Sequence, residues 1–289
     1  MDARAVAERI WPGRSQRVEV LGGGLTNHNY RVELDSGDAY VVRVAGRGTE
    51  LLGIDREVEH EAARIAAAAG VGPEVAGYVD GCLVTRFVDG EIVPLERMRD
   101  PDTVRRVGEA LACVHAAGTV RGTFDSFRVV EAYRETALER GGTIPATYDD
   151  AHAIAIRIEA TRDGAARRLC HNDLLNANFI DSPDGIRIVD WEYAGMGDPF
   201  FDLANFAVNH ELGDDGVRAL LEAYAGEATE EDERAVCLMR FMSDFREAMW
   251  CVVQTAVSEL DVDFEAYAAE HLDRMERTAA SPDFQAALP

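Results

Sequence analysis

The chain has 289 residues, 47% apolar and 28% charged, a globular composition that excludes a disordered or fibrous polymer. Acids outnumber bases 53 to 29, giving a formal net charge of −24, and a field of that sign repels nucleic-acid phosphates and anionic lipid. All 29 bases are arginine.

In chain order, short apolar or alternating runs at 17–21, 30–34 and 40–44 predict strands, separated by Gly22-Gly23-Gly24 and Asp35-Ser36-Gly37-Asp38. Residues 55–69 predict a helix, with Val58, Ala62, Ile65, Ala66 and Ala69 at helical spacing and Gly70 at the C-terminal cap. Two more strand-like runs follow at 74–78 and 82–87. Asp100-Pro101 opens a helix running to about Gly118. Further helices are expected at 126–140, 151–163, 216–225, 230–260 and about 264–279, around a non-helical insert from Leu169 to about Pro199. The pattern implies an α+β fold: a β-rich N-lobe with one main helix over residues 1–87, and a larger, mostly helical C-lobe over 88–289. The junction at 87–90 is then a cleft, where sites often sit.

Five scattered cysteines with no Cys-x-x-Cys spacing favour free thiols in a reducing compartment. The opening MDARAVAERIWPG has no apolar signal region, and no stretch approaches the length of a membrane span. A soluble cytoplasmic protein is expected, with neither nucleic acid nor membrane as partner.

The insert concentrates the chemistry. It holds His171, Asp173, Asn178, Asp190 and Asp202, with strand pieces flanking an Asp-Gly turn. Asn178 lies five positions after Asp173, and Asp190 twelve after Asn178. Phosphoryl transfer needs residue types of this kind. A carboxylate and an amide carbonyl are hard oxygen donors for Mg²⁺, and a second carboxylate can accept the hydrogen bond of an attacking hydroxyl. A hairpin with Asn on one arm and Asp ending the other can bring two ligands to one ion.

Here a resemblance enters. His171-x-Asp173-x-x-x-x-Asn178 followed by Ile188-Val189-Asp190-Trp191-Glu192-Tyr193 resembles the small-molecule kinases built on the protein-kinase fold, which include aminoglycoside phosphotransferases and choline/ethanolamine kinases. Gly197-Asp198-Pro199-x-x-Asp202-Leu203-Ala204 is similar to their shared downstream motif. The pattern is most similar to the choline/ethanolamine kinases: LGGGLTNHNY (21–30) resembles their phosphate loop, VVRVAG (41–46) their nucleotide strand, and the runs DWEYA (190–194) and 249–267 also match. The resemblance implies a protein-kinase-like two-lobed fold and an ATP- and Mg²⁺-dependent phosphotransferase acting on the hydroxyl of a small cationic amino alcohol. It makes Asp173 the catalytic carboxylate, Asn178 and Asp190 the Mg²⁺ ligands, and Asp202 and His171 supports of the catalytic loop. Backbone around Arg86 and Val88 would meet the adenine. Gly23, Gly24, Thr26 and Asn27 would close over phosphates with backbone N–H groups.

Three further groups take roles. Arg43 sits mid-strand, where an inward charge needs a partner, and its guanidinium can bridge phosphate oxygens. Its partner is an acid on the 55–69 helix; Glu59 and Glu61 flank the apolar face, and the Arg56-x-x-Glu59 pattern of the resemblance favours Glu59. On the 230–260 helix, Met239, Met242, Phe245, Met249, Val253, Ala256 and Leu260 form an expected buried stripe, while Ser243, Glu247, Trp250 and Gln254 share another face. An aromatic beside an acid suits a cation. In the resemblance, Trp250 and Tyr267 belong to an aromatic cage around a quaternary ammonium. Glu247 departs from it, standing where a second cage tryptophan is expected, and this favours an amine with N–H donors, such as ethanolamine, over choline. The rival readings are a kinase for an aminoglycoside, a sugar or an amino acid, and a non-catalytic nucleotide-binding regulator.

Overall fold

A computed structural model describes residues 2–22, 27–46 and 48–289. Gly23, Gly24 and Thr26 lie outside the described residues. The N-terminal region begins with α1 (Ala3–Ile10), a helix absent from the expected elements. The Asp2 carboxylate caps it by accepting from Arg4 N–H, and Ala3, Val6 and Ala7 form its buried stripe. Strands β1 (Ser15–Leu21), β2 (Asn27–Leu34) and β3 (Ala39–Ala45) follow, then α2 (Arg56–Ala68), β4 (Val75–Val79) and β5 (Cys82–Arg86). The five strands form one antiparallel sheet in the order β1-β2-β3-β5-β4. Asp55 caps α2 from Glu57 and Val58 N–H, and Gly70, at φ 73°, takes the left-handed turn that ends it.

A short strand, β6 (Glu91–Ile92), crosses to the C-terminal region of α3 (Pro101–Ala117), α4 (Ser126–Glu139) and α5 (Tyr148–Thr161). The insert supplies β7 (Arg168–Cys170), β8 (Phe179–Ser182), β9 (Gly185–Ile188) and β10 (Gly195–Gly197). Then come α6 (Pro199–Asn209), α7 (Asp214–Ala225), α8 (Glu230–Val257), α9 (Phe264–Ala280) and α10 (Pro282–Ala287). A Thr229–Asp232 capping box starts α8, which stops three residues short of expectation because Ser258 turns extended at ψ 141°. Leu260, expected in its buried stripe, is exposed, whereas both expected faces are buried between Leu238 and Gln254. Helix α8 is the central post of this region, packed by α4, α6 and α9.

Two apolar clusters result. The larger runs through the helical region and takes in Val58, Ala62 and Ala66 of α2 and Leu83 of β5. The smaller lies between α1 and the other sheet face, around Val6, Val32, Val42 and Val84. Among the described residues, no helix is long and apolar enough to cross a membrane.

His210 ends α6 in this core. Its Nδ1–H donates to Phe206 O at 2.8 Å, its ring packs on Phe206, and its buried Nε2 has no partner among the described residues. Burial depresses its pKa from 6.5 to about 4. Below pH 6.5 the unfolded chain takes up a proton that the folded chain refuses, so this contribution is complete above 6.5 and lost as pH falls towards 4. Urea midpoints of the wild type and His210→Gln should therefore diverge between pH 7.5 and 4.5, the wild type losing about 2–3 kcal/mol more. Parallel pH profiles would refute the assignment.

Candidate active site

The segment carrying Asp173, Asn178 and Asp190 is built by pairing. β7 and β10 pair antiparallel, Cys170 opposite Gly195, which brings the two ends of the insert together. Gly195 is required there: a Cβ would sit 2.8 Å from Phe124 N. Between them, β8 and β9 form the expected hairpin with Phe179 opposite Ile188, and Val189 N–H donates to Asn178 O at 2.9 Å. Asn178 and Asp190 thus stand at neighbouring ends of the two arms.

The loop after β7 is held by its backbone. Asp202, 0% exposed in the first turn of α6, accepts from His171 N–H and Asn172 N–H at 2.7 Å each and from His115 at 3.0 Å. These bonds hold Asn172 at φ 68°, a left-handed conformation asparagine tolerates, and its Nδ2 donates to Tyr193 O at 2.9 Å. His171 donates from Nε2 to Val189 O at 2.9 Å and accepts Asp173 N–H on Nδ1 at 3.2 Å. Burial lowers its pKa, so it stays neutral and fixes the loop. Asn205 Oδ1 accepts Leu174 N–H at 2.6 Å, a fastening the sequence reading missed.

Asp173 projects from this loop. Asn178 Nδ2 donates to its carbonyl at 2.8 Å and approaches its carboxylate at 3.4 Å. Burial and then the charge of Glu247 raise the Asp173 pKa well above the usual carboxylate range, against the pull of Arg246. Asp190 has φ 70° and is hydrogen-bonded to Arg43. The Arg43 guanidinium also pairs with Glu59 at 2.9 Å, while Glu61 accepts Arg121 N–H at 3.3 Å. Burial by itself would lower the Arg43 pKa; Asp190, Glu59 and Glu192 outweigh it and hold the charge firmly on. Arg56 joins Glu59 at 2.7 Å and Asn27 at 2.8 Å, and Asn27 donates to Glu192 at 2.8 Å. The Asn27 side chain therefore ties the sheet to the Asp190 segment, whatever its backbone does.

At the junction, Arg86 N–H and Phe87 N–H are committed to Glu74 O and Ala39 O, and the Arg86 side chain pairs outward with Asp38 at 3.0 Å. A cavity of about 700 Å³ is lined by Arg86, Val88, Gly72 and Arg187, but by none of Asp173, Asn178 or Asp190.

On the other side of Asp173 stands α8. Trp250 Nε1–H donates to Tyr193 Oη at 2.7 Å, and its ring meets Phe264 edge-on at 5.8 Å. Glu247 is buried and bonded to Arg246. Asp244 ties α8 to α9, 2.9 Å from His271 and 2.6 Å from Arg274, and Tyr267 packs edge-on to His271. Glu247 and Asp173 are among the charges that raise the Tyr267 pKa after burial, so this ring belongs to the same environment.

Residues 17–237 match the phosphotransferase enzyme family. A choline/ethanolamine kinase family protein from Mesorhizobium loti superposes with a TM-score of 0.84 at 33% identity, over 99% of this chain and 96% of that one. The chain belongs to the choline/ethanolamine kinase family of phosphotransferases. Ethanolamine kinase 2 of Rattus norvegicus is 28% identical over 89% of this kinase and 75% of its own length. Protein LicA of Haemophilus influenzae is 25% identical over 87% and 76%.

In this kinase the sequence reading missed two groups on this side of Asp173: Tyr193, inside the DWEYA run, and Arg246, directly before Glu247. Tyr193 reads as core by hydropathy. Arg246 reads as one more surface base on a helix, because spacing alone gave no sign that α8 is buried all round.

Proposed function

We propose that this kinase transfers the γ-phosphoryl group of ATP, with Mg²⁺, to the hydroxyl of a small amine-bearing alcohol. The observation that carries the reading is the convergence of Asp173, Asn178 and Asp190 from one loop and one hairpin, beside a buried wall of Trp250, Tyr193 and Glu247. The donor set suits Mg²⁺. Asn178 spends its Nδ2 on Asp173 O and leaves an amide oxygen, and Asp190 adds a carboxylate. Bound there, the ion would neutralise phosphate charge and orient the terminal phosphoryl group.

The chain's own residues do the rest. Arg43, held by Glu59 and Asp190, offers its charge to phosphate oxygens. Asp173 receives the hydroxyl proton as the acceptor oxygen bonds to the γ-phosphorus and the bond to the bridging oxygen breaks, releasing ADP. Positioning supplies most of the rate. The five free cysteines fit a cytoplasmic setting.

A coupled ADP-release assay over amino alcohols, hydroxy-amino acids, sugars and aminoglycosides tests the reading. Turnover is expected with an amine-bearing small alcohol and should vanish when EDTA removes Mg²⁺. Release confined to sugars or aminoglycosides, or unaffected by EDTA, would overturn it.

A further inference from the structure

Arg246, on α8, is 1% exposed and stands beside Asp173. Its Nη1 bonds Glu247 and stands 3.9 Å from Asp173 Oδ1, and its guanidinium carbon lies 4.4 Å from the centroid of the Tyr193 ring. Nε and Nη2, the two N–H groups of one edge of the fork, have no partner among the described residues. That edge matches a carboxylate with two parallel hydrogen bonds. Sealed donors of a charged group are costly to leave unpaired, so their presence beside reacting groups calls for a ligand that supplies oxygens.

A simple cation is a poor match for this wall. Glu247, the carboxylate beside Trp250, is already engaged by Arg246, and an ammonium entering next to the pair meets a guanidinium of its own sign. We propose that the acceptor is a zwitterion: a small hydroxy-amino acid whose carboxylate takes the Nε/Nη2 edge of Arg246, whose ammonium takes Glu247, and whose hydroxyl faces Asp173. Such a molecule replaces one internal ion pair by two pairs to ligand and adds no net charge to a buried site. Arg246 swings away from Glu247 to admit it. The inference rests on the phosphoryl-transfer reading and narrows its substrate class.

Serine and ethanolamine are the same hydroxy-amine with and without a carboxylate, as are homoserine and 3-aminopropanol. In the full-length kinase, kcat/KM should favour the carboxylated member of at least one pair by about tenfold or more. Arg246→Met should abolish that preference. Arg246→Lys, which keeps the charge but not the paired N–H edge, should retain only part of it. Calorimetric titration of the same compounds gives a readout independent of turnover: carboxylate-dependent binding that needs Arg246 upholds the assignment of the ligand, while absence of ADP release with every compound counts against the phosphoryl-transfer reading. Wild-type enzyme that turns over or binds the plain amino alcohols as well as the amino acids, or a preference untouched in both variants, overturns it and leaves the kinase reading standing. If Arg246→Met does not fold, the wild-type ratios and Arg246→Lys decide.

Discussion

Asp173→Ala is expected to lower kcat by about 10²–10⁴-fold while nucleotide affinity stays within a few-fold of wild type. The loop does not depend on this carboxylate. His171 Nδ1 holds the Asp173 backbone N–H at 3.2 Å, and Asn178 is anchored by the Asp173 carbonyl at 2.8 Å, so both fastenings survive the truncation. Among the described residues, the truncation loses the 3.4 Å contact from Asn178 and the 3.9 Å approach of Arg246 to the carboxylate. Asp190 is fixed from the other side by Arg43. The variant should therefore bind nucleotide and fail at transfer, a split visible when single-turnover rates are set beside nucleotide titrations. Near-normal turnover would remove Asp173 from the chemistry; parallel loss of nucleotide binding would make it a structural residue.

Asp202→Ala should destabilise the fold by about 3–5 kcal/mol and abolish activity with it. The carboxylate is fully enclosed and takes three bonds: His171 N–H, Asn172 N–H and His115 Nε2. Removing it strands two backbone donors and an imidazole inside the core. His115, Cys170 and Asp202 lie within 4.8 Å of one another, a spacing that can suggest a metal centre. The hydrogen bonds identify it as a brace: His115 spends its other nitrogen on Tyr224 Oη at 3.0 Å. Asp202→Asn keeps one oxygen and should cost less. A denaturant midpoint unchanged in Asp202→Ala would contradict the account.

The candidate segment was legible because its residues are local. Asp173, Asn178 and Asp190 occupy one loop and one hairpin, and strand register alone brings Asn178 beside the end of β9. Arg43 and Glu59 were legible in part. A mid-strand base demands an acid, and helical spacing left Glu59 and Glu61 as candidates; the buried pairing selects Glu59. The acceptor side was less readable. α8 has apolar residues on one face and polar ones on another, a pattern that predicts one exposed side. Packing from α4, α6 and α9 buries both, so Arg246 and Glu247 find each other inside the protein. Helix α1 was overlooked because eight residues carry little periodic signal, although Asp2 and the spacing of Ala3, Val6 and Ala7 contain it.

The two apolar clusters divide the molecule along a line different from the chain's own order. Helix α2 shares its buried side with the helical body, while α1 and the outward sheet face keep a nucleus of their own. Arg43 leaves that sheet and grips Glu59 on α2 and Asp190 beyond it, crossing the seam. The outer shell can then breathe as a unit without melting the body, with the Arg43 guanidinium and the Asn27 amide as clasps between them. Amides of β2 and β3 would exchange with solvent sooner than those of α8, and whatever anion draws on the Arg43 clasp would feel the shell's motion directly.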